Sequence, residues 1–332
     1  MTSPTYDVVA IGNAIVDILS QATDEFIVAE GMTKGGMQLI FDSAAADALY
    51  SRMGPGREVS GGSAANTIAG LAALGHATGF IGQVADDQLG KVFAHDVQAL
   101  GVHFETPAAA GGDPTGRCLV LITPDGQRTM NTFLGAAQFL PEAAVDQATI
   151  EAGAILYLEG YLWNADQSRD AMKRAIAMAR GAGRKVALTL SDTFVVEGHR
   201  AEFFELIDAG QIDILFANDN EVRAMIQDED VVAAVAALSA RVPLLVCTHG
   251  AAGAEAHKDG EHARIPAEPV DDVVDTTGAG DLFAAGFLAG QAQGHDLETS
   301  LRMGAICAAE CISHIGPRPV ADIKKLVADK LR

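Results

Sequence analysis

Short apolar runs typical of buried parallel strands recur along the chain, and segments with helical periodicity separate them. The predicted strands cover residues 8–12, 78–84, 154–158, 185–190, 212–217 and 243–247. The predicted helices cover residues 65–74, 87–100, 166–182, 231–239, 282–292 and 301–312. Repeated strand–helix–strand units predict an α/β protein whose central, mainly parallel sheet has helices on both faces.

One stretch departs from this alternation. Residues 115–123 and 127–133 are strand-like runs joined by Pro124-Asp125-Gly126, a strong turn signal, so they predict an antiparallel hairpin. Residues 30–41 are also strand-like, most clearly at 37–41. We interpret both as parts of a small β-sheet outside the main sheet. The alternative is a hairpin that extends the core sheet.

Composition narrows the classes of function. The 332 residues are 49% hydrophobic, which is ample for a packed core, and their net charge is −21. Such a surface repels nucleic acid and anionic membranes, so we expect neither as a partner. It also repels ATP, and a nucleotide would therefore need Mg²⁺, helix N-termini and one or two placed arginines.

The four cysteines, Cys118, Cys247, Cys307 and Cys311, each lie in an apolar run, as buried free thiols do. They predict neither a disulfide framework nor a zinc site, because no second ligand pair lies near Cys307 and Cys311. The first residues lack the basic and apolar regions of a signal peptide, and no uninterrupted apolar stretch is long enough to span a membrane. We therefore expect a soluble, cytoplasmic protein.

The segment Asp275-Thr-Thr-Gly-Ala-Gly-Asp281 precedes an apolar run that predicts a buried helix. Gly278 and Gly280 permit a tight turn whose N–H groups can point at one spot, and a helix N-terminus attracts anions. Asp281 then lies beside an anion hole, where a carboxylate can take a proton from a nucleophilic hydroxyl. The alternative is a plain loop in which Asp281 is the helix N-cap.

A second glycine pair, Gly61-Gly62, opens the helix predicted at 65–74 and would let a ligand approach the backbone. Asn66 adds a donor and an acceptor for hydroxyl groups. Asn13 and Asp17 follow the first strand and offer the amide and carboxylate that grip vicinal hydroxyls of a sugar. The alternatives are a plain loop capped by Ser63, and a turn with Asn13 left-handed and Asp17 at a solvated helix start.

Two more strand ends carry polar groups. Asn218 and Glu221 are three residues apart and could hold Mg²⁺ through its waters, or Asn218 could simply cap a helix that Glu221 continues. The loop of Thr248, Gly250 and Gly253 follows another strand, where α/β sheets bind nucleotides. Its His249 has no carboxylate close in sequence, so we expect no proton-transfer role for it.

Arg128 follows the hairpin turn and suits phosphate neutralisation in an acidic chain, although a solvated strand arginine fits nearly as well. The same argument for phosphate neutralisation applies to Arg117, but more weakly. The chain has no G-x-x-x-x-G-K-[ST], which excludes a P-loop enzyme. It also has no G-x-G-x-x-G after a strand with an acidic partner, which argues against a dinucleotide dehydrogenase.

Three of these motifs appear in the order typical of the ribokinase-like (PfkB) family of sugar and nucleoside kinases. Residues 275–288 resemble its C-terminal signature, residues 61–75 its N-terminal signature, and Asn218-x-x-Glu221 its Asn-x-x-Glu motif. The resemblance runs from about residue 8 to the C-terminus. It implies one ribokinase-like kinase domain over residues 1–332, with a discontinuous β lid of about residues 14–42 and 112–134.

The resemblance implies transfer of the ATP γ-phosphoryl group to a hydroxymethyl group. Asp281 would accept the hydroxyl proton. The Gly278–Ala279–Gly280 turn would form an anion hole, in which the backbone N–H groups of Ala279, Gly280 and Asp281 stabilise charge on the transferring group. Lid closure would exclude water, and Mg²⁺ placed through Asn218 and Glu221 would bridge the phosphates. The residues implied around ATP are Arg128, Ser191, Asn218, Thr248, Gly250, Gly253, Gly278 and Gly280. A K⁺ ion near Asp275 and residues 313–316 stays open, as does the choice between monomer and homodimer.

Several features are most similar to the adenosine kinase branch: the opening at residues 11–17, Gly160-Tyr161, and Thr115-Gly-Arg-Cys118, which departs from the branch at Arg117. On this resemblance Asp17 would hold ribose hydroxyls, Gln38 would lie near a purine and the Tyr161 ring would stack on it. The implied acceptor-binding residues are Asn13, Asp17, Gln38, Gly61, Gly62, Asn66, Cys118 and Tyr161.

The predicted acceptor is a purine nucleoside, with adenosine as the first candidate. A sugar such as fructose or ribose is the second candidate, and guanosine or inosine stays open. A nucleoside-binding protein without catalysis is a third hypothesis, ranked low because Gly278, Gly280 and Asp281 are all present. Tyr161 or Trp163 could instead be an ordinary core residue.

Overall fold

The computed structural model describes residues 3–332. The strands of this part of the chain are β1 (Tyr6–Ile11), β2 (Ile15–Gln21), β3 (Met37–Leu39), β4 (Gly56–Gly61), β5 (Thr78–Ile81), β6 (Gly116–Ile122), β7 (Arg128–Phe133), β8 (Gly153–Glu159), β9 (Lys185–Thr189), β10 (Ile214–Asn218), β11 (Leu244–Thr248), β12 (Ala254–Lys258) and β13 (Glu261–Ile265). The α-helices are α1 (Asp24–Ala29), α2 (Ser43–Arg52), α3 (Ser63–Ala73), α4 (Gln88–Ala99), α5 (Gln147–Ala152), α6 (Asp166–Gly181), α7 (Thr193–Asp208), α8 (Asp219–Ile226), α9 (Val231–Ser239), α10 (Ala279–Ala292), α11 (Leu297–Ile312) and α12 (Ile323–Lys330).

A central sheet of eight strands has the order β13-β12-β11-β10-β9-β8-β1-β5. Neighbouring strands from β11 to β5 are parallel, whereas β12 is antiparallel to both β11 and β13. All six predicted strands lie in this sheet, which confirms the α/β class. The β12–β13 hairpin is not predicted, because its strands are short and rich in charged residues and carry little apolar signal.

Successive strand residues pack on opposite faces of the central sheet, because side chains alternate along a strand. Val8 and Ala10 of β1 face a core formed with α10 and α11. Val9 and Ile11 face a second core formed with α6, α7 and α9. The six predicted helices are all present. The helix α7 is not predicted, since a non-helical residue, His199, interrupts its periodicity.

A second sheet has five strands in the order β3-β7-β6-β2-β4. The hairpin β6–β7 therefore belongs to a separate small sheet, and its interpretation as an extension of the core sheet is wrong. The strand β4 joins this sheet from outside the two segments predicted for the lid. All seven residues of β6 are buried: Leu119 packs into the core, and Cys118 and Val120 on the other face line the cavity described below.

The parallel strands place their carboxyl ends at one edge of the central sheet, where open α/β sheets bind ligands. These ends are Ile11, Glu159, Thr189, Asn218 and Thr248. The small sheet lies over this edge. None of the helices in residues 3–332 combines the length and apolar character that a membrane crossing requires.

Candidate active site

A cavity of about 370 Å³ lies between the carboxyl ends of the central strands and the inner face of the small sheet. Its size is within the range of small-molecule sites. The small sheet contributes alternate residues of its strands, as one face of a pleated sheet must. These residues are Ile15, Asp17, Met37, Leu39, Cys118, Val120, Met130 and Thr132.

Asp281 lies in this cavity at the third residue of α10. The N-cap position belongs to Gly278, whose left-handed backbone (φ +78°) and closeness to Pro317 favour glycine: a Cβ there would lie 2.6 Å from the Pro317 Cβ. The Asp281 carboxylate instead accepts hydrogen bonds from Ser63 Oγ (2.6 Å) and Asn66 Nδ2 (3.0 Å). Because Gly278 is the N-cap of α10 and Gly62 is the N-cap of α3, the alternatives in which Asp281 or Ser63 serves as a helix N-cap are wrong.

The environment of Asp281 makes its carboxyl a weaker acid than usual. Burial raises its pKa to about 6, although the bonds from Ser63 and Asn66 and the charge of Arg318 oppose that rise. Arg318 is fixed by bonds to the carbonyl oxygens of Ser60 (2.8 Å) and Ala65 (3.1 Å). A carboxylate with a pKa near 6 is ionised at neutral pH and is a better proton acceptor than an exposed aspartate.

Asp17 lies on β2, and not at the start of a helix. A Cβ on Gly61 would lie 2.6 Å from the Asp17 carboxyl, and a Cβ on Gly62 would lie 2.1 Å from the Asn13 carbonyl oxygen. Gly61 therefore makes room for the Asp17 side chain, and Gly62 makes room for the backbone at Asn13. Burial raises the pKa of Asp17 to about 6, against the charges of Arg318 and Arg128.

Asn13 is held by Glu159 at the end of β8, a residue that none of the sequence motifs indicates. Its carboxylate accepts from Asn13 Nδ2 (2.6 Å) and from the backbone N–H of Ala64 (2.8 Å). The side chain is buried, and burial raises its pKa to about 7. Asn13 Oδ1 is left without a hydrogen-bond partner, and its backbone is not left-handed. The available sequence signal for Glu159 was its position directly after the strand predicted at residues 154–158.

Asn218 and Glu221 form a capping box at the start of α8, so the capping interpretation of Asn218 is correct. Both residues nevertheless line the cavity, as do Ser191 and Thr248. Burial raises the pKa of Glu221 to about 7. A nearby cation would stabilise this buried carboxylate.

Arg128 is buried and lines the same cavity. Its Nη2 atom lies 3.0 Å from Asp275 Oδ2, yet Nε and Nη2 have no hydrogen-bond partner. The interpretation as a solvated strand arginine is therefore wrong. Buried donors without partners favour an anionic ligand. Arg117 lies elsewhere, where its guanidinium contacts Asp47 and the Ser43 carbonyl of α2.

Several predicted residues do not line the cavity. The Gln38 side chain donates to Asn131 Oδ1 (2.5 Å), while its neighbours Met37 and Leu39 face the cavity. The amide of Ala279 already donates to the Thr276 carbonyl (3.2 Å). The others outside the cavity lining are Gly61, Gly250 and Gly253.

An aromatic pair lies at the cavity. The Tyr161 ring is 6.0 Å from the ring of Phe194, tilted by 37°, and both residues line the cavity. Phe194 was not identified from the sequence, because the helix that carries it was not predicted. Trp163 is fully buried against Phe203 and is a core residue.

His249 does have carboxylate neighbours in space. Its Nδ1 contacts Asp219 Oδ1, and its Nε2 lies 2.9 Å from Glu255 Oε1. Glu255 is only six residues further along the chain, so the expectation that no carboxylate lies close in sequence is wrong, whereas Asp219 is brought to this loop by the fold. His249 does not line the cavity, so the expectation of no proton-transfer role in the cavity stays a prediction.

Residues 27–324 match the model of the pfkB family of carbohydrate kinases, and the chain belongs to that family. It is a kinase that transfers a phosphoryl group to an alcohol. A solved structure of adenosine kinase from Sinorhizobium meliloti is 44% identical, with a TM-score of 0.91 over 98% of this chain and 99% of that one. A probable sugar kinase from Rhizobium etli is 41% identical, with a TM-score of 0.92 over the same shares. Adenosine kinase from Saccharomyces cerevisiae is 28% identical over 96% of this chain and 97% of its own length.

Proposed function

We propose that this kinase phosphorylates the hydroxymethyl group of a purine nucleoside, adenosine in the first place, with ATP as the phosphoryl donor. The observation that carries phosphoryl transfer is the position of Asp281: a carboxylate in the first turn of α10, held towards the cavity by Ser63 and Asn66. The choice of a purine nucleoside is supported by the aromatic pair Tyr161 and Phe194 at the cavity. A sugar kinase is the second candidate, supported by the similarity to the probable sugar kinase of Rhizobium etli.

The inner surface of the cavity supports a nucleoside. Asp17 offers a carboxylate for vicinal hydroxyls, and the unpartnered oxygens of Asn13 and Asn66 can accept from further hydroxyl groups. Tyr161 and Phe194 offer flat apolar surfaces that suit a purine. The opposing wall contains methionine, leucine and valine side chains from the small sheet.

The residues also fit the groups that the family uses. The buried guanidinium of Arg128, whose Nε has no hydrogen-bond partner, suits phosphate oxygens, and Asn218 with Glu221 would hold Mg²⁺ through its waters. When bound, ATP supplies the phosphoryl group and Mg²⁺ neutralises its phosphates. Asp275 fits K⁺ less well, because its carboxylate already pairs with Arg128 and accepts from the amides of Thr277 and Gly316.

In the proposed mechanism the chain's own groups act on the acceptor hydroxyl. Asp281 takes its proton while Asp17 and Asn13 hold the sugar ring in place. The first-turn amides of Gly280 and Asp281 stabilise the negative charge that develops on the transferring group, and Ala279 contributes less because its amide is already bonded. A Cβ added to Gly280 would meet no other atom within 4 Å, so the approach to this turn is open.

A coupled ADP-release assay over nucleosides and sugars tests the substrate. We expect kcat/KM to be highest for adenosine. A higher kcat/KM for fructose or ribose would still show a kinase, but it would overturn the assignment of a nucleoside as the substrate. Nucleoside binding without any ADP release would instead favour the non-catalytic hypothesis.

The pH dependence tests the proton acceptor. Because Asp281 must be ionised, we expect kcat to fall as the pH drops through about 6. The titrating neighbours Asp17 and Glu159 could produce a similar fall, so the wild-type profile alone does not identify the group. Ser63→Ala removes a bond that favours ionised Asp281 and should move the acid limb to higher pH.

Ser239→Ala, at an exposed helix end, is the matched control and should leave the profile unchanged. An acid limb at the same pH in Ser63→Ala and in the wild type would assign the limb to another group.

A further inference from the structure

We propose that Glu255, His257 and His262 form a binding site for a transition-metal ion of the Zn²⁺ class. The three residues lie on the antiparallel hairpin β12–β13, outside the cavity lining. The inference is independent of the nucleoside assignment, because none of these residues takes part in the proposed chemistry.

Strand register brings the three side chains together. His257 on β12 is paired directly with His262 on β13, so both project from the same face of the hairpin. Their rings stack with centroids 4.3 Å apart and an angle of 20° between their planes. Glu255 precedes His257 by two residues and therefore shares that face. The hairpin thus presents two imidazoles and one carboxylate on the same face.

The donor atoms converge as a metal site requires. Nε2 of His257 lies 3.0 Å and Nε2 of His262 lies 2.7 Å from Glu255 Oε2, and one ligand atom from each residue lies within 4.8 Å of the others. Zn²⁺ with ligands at about 2.0–2.1 Å in a tetrahedron separates neighbouring ligand atoms by roughly 3.3 Å. A small outward movement of the exposed His262 ring would therefore admit the ion.

Neighbouring residues orient the Glu255 carboxylate and leave the site accessible to solvent. Glu255 Oε1 is held by His249 Nε2 at 2.9 Å, an outer contact of the kind that fixes ligating carboxylates. The His262 side chain is 48% exposed, which gives entry from solvent and leaves a fourth position for water. A chain of net charge −21 attracts a divalent cation, although Arg264, paired with Glu255 across the strands, opposes it locally from an exposed position.

A neighbouring group, Asp219, Cys247 and His249, is a weaker candidate. Cys247 is fully buried, and burial raises the pKa of its thiol far above its usual range. Zinc binds the thiolate, so this cysteine is a poor ligand. The 2-His-1-carboxylate set on the hairpin remains the better site.

Titration calorimetry with Zn²⁺, on the full chain freed of any histidine tag and in excess Mg²⁺, tests the proposal. We expect one saturable equivalent, and visible absorption bands of four-coordinate Co²⁺ when Co²⁺ replaces it. His262→Ala and His257→Ala should each weaken binding by about tenfold or more, since even outer contacts of metal ligands are worth ~10–100-fold. Zn²⁺ should also raise Tm in the wild type and not in His262→Ala.

His95→Ala is the matched control, because His95 is an exposed histidine beside an aspartate on α4, far along the chain from the hairpin. It should bind Zn²⁺ as the wild type does. No saturable binding to the wild type, or equal losses in His95→Ala and His262→Ala, would overturn the site. Glu255→Gln keeps the shape of the side chain but removes its charge. If its circular dichroism is unchanged, weaker Zn²⁺ binding reflects the loss of a ligand and not a folding defect.

Discussion

Asp281→Asn is expected to lower turnover by about 10²–10⁴-fold, the usual contribution of a positioned general base. The amide cannot accept the hydroxyl proton, whereas the backbone N–H groups of the α10 turn stay in place. Nucleoside affinity should change little, because the proposed sugar contacts come from Asp17 and Asn13. Single-turnover kinetics at saturating ATP and nucleoside would measure the loss directly.

The substitution should not disturb the fold. The Asn66 amide can still donate to the remaining carbonyl oxygen, and the Ser63 hydroxyl can accept from the new amide. Asp296→Asn, at the N-cap of α11, is the matched control, since aspartate and asparagine cap helices about equally well. Turnover at the wild-type level in Asp281→Asn would refute Asp281 as the base.

The main sheet and its helices could be predicted because their signals are local. Strand and helix periodicities repeat within a few residues, and glycines mark several helix ends. The charged hairpin β12–β13 and the interrupted helix α7 lack such signals, so Phe194 and the histidine cluster went unnoticed. Pairing across strands, which creates that cluster, is visible only after the fold is formed.

The sequence motifs indicate the candidate site residues, but they do not indicate the contacts that these residues make with one another. Ser63 and Asp281 are separated by 218 positions, and Asn13 and Glu159 by 146. No local pattern links residues so far apart. The sequence therefore indicates which glycines and carboxylates to consider. The fold explains why Gly61 and Gly62 are glycines, and it places Gln38 outside the cavity lining.

Asp17→Ala is expected to weaken binding of the nucleoside by roughly a hundredfold or more. Hydrogen bonds to a charged group contribute ~1.5–3 kcal/mol each, and the proposed contact involves two ribose hydroxyls. Calorimetry with adenosine in the absence of ATP would measure the effect on binding alone. Asp47→Ala removes a carboxylate whose contact with Arg117 lies outside the cavity lining, and it should leave affinity unchanged.

Asp17→Ala should not lower stability at neutral pH. Because burial raises the folded-state pKa of Asp17 to about 6, the folded protein holds this proton more tightly than the unfolded chain does. The ionised form therefore costs stability above pH 6, and that cost disappears as the pH falls below the unfolded value. Removing the carboxylate should raise or maintain Tm at pH 7.5 while affinity falls. A carboxylate kept at a cost to folding is what a binding role requires, and unaltered adenosine affinity in Asp17→Ala would remove Asp17 from the site.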